Sequence, residues 1–198
     1  MDNSSSKTKT ADTVKRSNNP RNLHEGHFTA HVGVYPKFNV CMSFYQDAVD
    51  KLYREVSEGN ETADGIAMPL LFMMRHAMEL GYKYTITKIC EFNGTTYDAK
   101  KDLHFLKKLH KRLKEEFDTL WQNGGVSENK KSGFDEYYEI TKDAMEWFDN
   151  IDPKGENFRY SKFDRDKKIN LLEVKNKFDE AMTLLTVTVD VITDGMET

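Results

Sequence analysis

PLLFMMRHAMELGYKYTITK, residues 69–88, is the stretch that decides the fold. A helix drawn through it carries Met, Leu, Phe, Ala, Ile or Tyr on nearly every side, which places it in a protein interior. One polar line crosses it. At about 100° per residue Arg75, Glu79 and Lys83 fall within about 80° of one another, and His76 lies at the edge of the same stripe. Charges on a buried helix must be paired. The i,i+4 spacing of Arg75 with Glu79, and of Glu79 with Lys83, lets the ladder satisfy itself along one helix. The same stripe can instead line a groove for another polar element, a symmetry mate or a phosphate-bearing ligand. Arg75 would then make bidentate phosphate contacts, Glu79 would orient it, and His76 would act as acid or base.

Outward from this segment, apolar spacing predicts helices over about 39–57, 66–91, 101–122, 134–149 and 168–193. Thr62 or Asp64 is placed to cap the central one. Leu103, Leu106, Leu109, Leu113, Phe117 and Leu120 repeat every three to four residues and give the third helix an inward face. The stretches 122–133 and 150–167 read as a flexible connector and an irregular loop. The β-branched TVTVDVIT at 186–193 has a local bias toward strand and is the point most open to a different assignment. The expected fold is all-α, a four- to five-helix bundle forming a single domain over 23–198. A Ser/Thr/Asn/Lys-rich tail at 1–22 holds too few apolar residues to offset its ordering entropy and is expected to be flexible.

With 198 residues the chain can bury a core, and its net charge of −4 carries no global signal for nucleic acid or an anionic membrane. No apolar run approaches the length of a membrane span. Cys41 and Cys90 are the only cysteines, too few for a disulfide scaffold, and point to a reducing cytoplasm.

Local charge is another matter. Lys100, Lys101, His104, Lys107, Lys108, Lys111 and Lys114 lie opposite the leucine face of the third helix. Such a face is either plain solvated surface or a partner for a phosphate backbone. His110 falls among the leucines and reads as a core residue. Arg159 and Tyr160, in the long loop, can clamp a base or a phosphate, or pin the loop to the bundle. His24, His27 and His31 have spacings that could gather imidazoles, but no cysteine or clear carboxylate completes a metal set. There is no Gly-rich phosphate loop, G-x-S-x-G elbow or H-E-x-x-H pair. No metal or cofactor is expected.

Three of these patterns, in this order, resemble the HEPN domains, a family of helical nucleotide- and RNA-associated proteins. The central helix matches A-x-E-x-x-x-K with Ala77, Glu79 and Lys83. The next opens on H-x-L-x-x-L with His104, Leu106 and Leu109, and Arg159-Tyr160 supplies an R-Y pair before the last helix. The likeness spans residues 40–192. It implies a homodimer with its groove between subunits, RNA or nucleotide as ligand, and a defence or toxin–antitoxin setting with a possible partner protein of the same system. The family's ribonuclease branch carries Arg, a polar residue, three more residues and His near the last helix. That motif is absent, since Tyr160 follows Arg159 and no His occurs after position 110.

The expectation is therefore a diverged HEPN-like protein that binds RNA or nucleotide. The alternatives are a non-catalytic homodimeric assembly module and a metal-independent endoribonuclease. Candidate catalytic residues are Arg75, His76, Glu79 and His104. Candidate binding residues are Lys83, Lys107, Lys108, Lys111, Arg159 and Tyr160.

Overall fold

The computed structural model describes residues 37–102, 104–163 and 166–194. The expected tail at 1–22, the start of the domain and His24, His27 and His31 lie outside these residues. Every described element is a helix: α1 (Phe38–Ser57), α2 (Ala63–Phe92), α3 (Ala99–Asp102), α4 (Leu106–Gln122), α5 (Glu128–Ile151), α6 (Asn157–Tyr160) and α7 (Leu171–Thr193).

α2 is the axis of the bundle because it has no polar side to show to water. It packs against α4, α4 against α5, α5 against α7, and α7 returns to α2, closing a four-helix ring; α1 lies along α2, and α6 touches it. Thr62 opens α2, its hydroxyl accepting from the Gly65 N–H at 3.2 Å. Thr85 donates from α2 to the Leu185 carbonyl of α7 at 2.8 Å. At Gly81 the helices come so close that an added Cβ would stand 2.8 Å from Leu185 Cδ1. No helix among the described residues is long and apolar enough to cross a membrane.

Three sequence expectations change. The helix expected over 101–122 is interrupted: α3 ends at Asp102 and α4 begins at Leu106, so His104 sits in the break. The connector expected at 122–133 is shorter, because Gly124 (φ 78) follows the end of one helix and the next begins directly after Ser127. Residues 128–133 are helical, and Lys131 there pairs with Asp135 one turn on and with Asp118 of α4 at 3.1 Å. The loop expected at 150–167 contains α6.

The TVTVDVIT tail is helical to Thr193. Thr186, Thr188 and Thr193 donate to carbonyls four residues back, at 2.9, 2.7 and 2.6 Å, and Thr188, Val189 and Ile192 are buried. Tertiary burial thus outweighs the modest β preference of these side chains.

Candidate functional site

The polar line of α2 is buried within one chain. Arg75 and Glu79 are each 2 % exposed and Lys83 8 %. Glu79 is the hub. Its Oε1 accepts from Lys83 Nζ at 2.7 Å and pairs with His104 Nδ1 at 2.8 Å, while Oε2 lies 3.5 Å from Arg75 Nη1. Burial pushes the Glu79 carboxyl up, but the hydrogen bonds from Lys83 and His104 outweigh it and hold the group below its ordinary value. The ladder expected from i,i+4 spacing is present, with His104 as an added rung from outside the helix.

Arg75 does more than close the ladder. Its Nε donates to the Asp152 carbonyl at 2.7 Å and its Nη2 to the His104 carbonyl at 2.6 Å. One guanidinium therefore ties α2 to the α3–α4 break and to the turn after α5. Burial lowers the Arg75 pKa, and the charges of Asp152 and Glu79 oppose that shift; a guanidinium stays protonated regardless.

The turn at 152–157 is built to receive it. Asp152 Oδ1 accepts from the N–H groups of Glu156 and Asn157 at 2.7 and 2.9 Å. Its Oδ2 is buried without a hydrogen-bond donor among the described residues, 3.7 Å from Arg75 Nε. Gly155 adopts φ +73, and a Cβ there would lie 2.9 Å from Arg75 Nη1. Only glycine accommodates both the backbone conformation and the close approach.

Around this buried centre stand the exposed groups. The His104 side chain is 57 % exposed. A carboxylate on Nδ1 orients the ring and leaves Nε2 as the nitrogen that makes no contact with Glu79. Arg159 is exposed on α6, its guanidinium 5.2 Å from the Phe72 ring centroid. Phe72 in turn stacks on His76 at 5.7 Å. His76 is half-buried, with the Tyr45 ring edge-on at 4.6 Å and Glu79 Oε2 at 4.0 Å; burial lowers its pKa. Tyr160 is 60 % exposed.

Of the sequence candidates, Arg75, His76, Glu79, Lys83 and His104 converge, and Arg159 borders them. Lys107 is exposed just beyond His104, and its N–H contacts Asp149 Oδ1 at 3.4 Å. Lys108 lies over the Phe105 ring at 4.6 Å, and Lys111 pairs with Glu115 at 3.3 Å. Lys114, counted in the basic face, is engaged with Asp118 and Asp135 at 2.7 and 2.9 Å. His110 is a core residue as expected, 3 % exposed.

Sequence reasoning missed Asp152, Gly155 and Phe72. The Asp152-Pro153-Lys154-Gly155 run is a turn signal that marks the bend, though not its place against Arg75. Comparison with family models, curated proteins and solved structures finds no match for this chain.

Proposed function

We propose that this chain is a HEPN-like helical protein that binds RNA or a nucleotide through its phosphates, as a homodimer, in an intracellular defence or toxin–antitoxin-type system. The family assignment and its setting rest on the residues of α2, His104 and Arg159-Tyr160. The observation that carries the binding reading is Arg75. This one buried guanidinium holds the backbone that presents His104 and the turn that leads into Arg159. Two exposed groups suited to phosphate thereby stand on backbone tied to one side chain, and the exposed Lys107 follows His104 by three residues. A fixed cation loses less entropy on binding an anion than a mobile one.

Fluorescence anisotropy with labelled RNA at low salt tests this reading. Arg159→Glu and Lys107→Glu should each weaken binding. Affinity unchanged in both variants would sink it.

A second reading, metal-independent RNA cleavage, is favoured by the 2.8 Å contact between buried Glu79 and exposed His104. A carboxylate that fixes the imidazole tautomer leaves Nε2 able to take a hydroxyl proton. Cleavage of total RNA that disappears in His104→Ala and survives in Lys111→Ala supports it. Cleavage equal in wild type and His104→Ala excludes His104 as the base.

A further inference from the structure

We infer that the surface beside Arg159 takes an unpaired nucleotide, its base stacked on Tyr160 and its phosphate on Arg159. The inference rests on the binding reading above and adds the substrate class.

Tyr160 ends α6 and is 60 % exposed, more than Phe44, Tyr137, Ile140, Leu172 or Val187, the other exposed large hydrophobics among the described residues. Its ring contributes little to the core in that position. What surrounds it is cationic. Arg159 Cζ lies 5.8 Å and Lys162 Nζ 5.4 Å from the ring centroid. The two cations differ in what else they touch. Lys162 is neutralised by Glu156 at 2.7 Å. Arg159 forms no ion pair with a carboxylate among the described residues, and its one other ring contact is Phe72. An exposed aromatic ring next to a guanidinium without a carboxylate partner matches a nucleotide, which offers a flat π-system and an anion within one residue's length.

That pairing also selects the form of the nucleic acid. In a duplex the bases are stacked on one another and only phosphates and groove edges face outward, so Tyr160 would find no partner. In a single strand each base can swing onto an aromatic ring, whatever its identity. An acidic peptide would satisfy Arg159 and leave the ring unused. The site should therefore prefer unpaired RNA, with weak dependence on sequence.

The test uses the full chain and a labelled, non-self-complementary RNA oligomer of about ten nucleotides, alone or annealed to its complement. The unpaired oligomer should bind at least about tenfold more tightly than the duplex. Tyr160→Ala should weaken unpaired binding roughly tenfold, leave duplex binding unchanged, and be rescued by Tyr160→Trp. Thermal unfolding of Tyr160→Ala at the wild-type temperature excludes a folding defect. Equal affinity for the two forms, or unpaired binding indifferent to Tyr160→Ala while Arg159→Glu weakens it, overturns the stacking inference and leaves the binding reading standing. Unpaired binding indifferent to Arg159→Glu overturns this inference; no binding of either oligomer, or binding indifferent to both Arg159→Glu and Lys107→Glu, overturns the binding reading with it.

Discussion

The buried guanidinium of Arg75 donates to the backbone carbonyl of His104 at 2.6 Å, across the break between α3 and α4. An interrupted helix exposes carbonyls that an unbroken one would use internally. Here one of them is satisfied by a charge from the neighbouring helix. The contact makes the ladder of α2 a fastening for the surface above it.

Arg75→Ala should lower the unfolding free energy by about 3–5 kcal/mol, because it leaves Glu79 buried with one cation fewer and takes donors from one buried and one part-buried carbonyl. Urea titration reads the change. The double variant Arg75→Leu/Glu79→Leu should lose more, because removing Glu79 also strands the buried Lys83 ammonium. A loss below about 1 kcal/mol in the single variant would contradict the pairing described for Arg75.

Gly155→Ala should cost more than Gly94→Ala. Both glycines have positive φ, +73 and +68, but a Cβ at 94 meets nothing within 4 Å and one at 155 meets Arg75 Nη1 at 2.9 Å. The shared conformational cost is about 1 kcal/mol, and the clash adds about 1–2 more at 155. Equal shifts in the urea midpoint would show that Arg75 moves aside without penalty.

Stability should fall as pH falls from about 6.5 toward 4, and His110 should carry much of the slope. Burial, helped by the charge of Lys142, pushes this imidazole down from 6.5 to about 4. Between those values the unfolded chain binds a proton that the folded one refuses, so stability rises with pH across the window and is complete above it. Full loss amounts to something on the order of 3 kcal/mol. Its Nδ1 lies 3.0 Å from the Tyr82 hydroxyl, Tyr138 stacks on it at 3.9 Å, and Nε2 has no partner among the described residues. His76, shifted in the same direction, adds to the slope. Urea midpoints at pH 7 and pH 5 should converge in His110→Phe relative to wild type; an unchanged difference would rule His110 out.

Lys107→Ala and Lys111→Ala should differ in the salt dependence of RNA binding. Lys107 has no carboxylate within ion-pair distance among the described residues, whereas Lys111 is held by Glu115 at 3.3 Å. A free phosphate-contacting lysine contributes about one unit to the slope of log affinity against log salt. Anisotropy titrations should show that drop for Lys107→Ala and a smaller one for Lys111→Ala. The reverse order would place the phosphate path farther along α4.

Much of the fold was legible because its signals are local. The apolar belt of residues 69–88, the Thr62 cap and the leucine row of α4 each depend on neighbours within a turn or two. The tail of α7 shows the limit, since Thr186–Thr193 has a local strand bias that burial against α2 and α5 overrides. The helix break around His104 was missed for the same reason: the Lys/Leu pattern runs straight through it.

The candidate site divides along the same line. The sequence by itself determined that Arg75, Glu79 and Lys83 share one stripe of a helix, because i,i+4 spacing is a short-range relation, and it left open whether the stripe pairs within itself or lines a groove. Only the tertiary structure decided that Asp152, 77 residues away, and the glycine beyond it complete the seat of Arg75. It also decided that the ladder is buried inside one chain while His104, Arg159 and Tyr160 stand at the surface. The physical reason is that hydrogen bonds between distant segments depend on where helix packing brings their backbones, and no spacing within either segment records that placement.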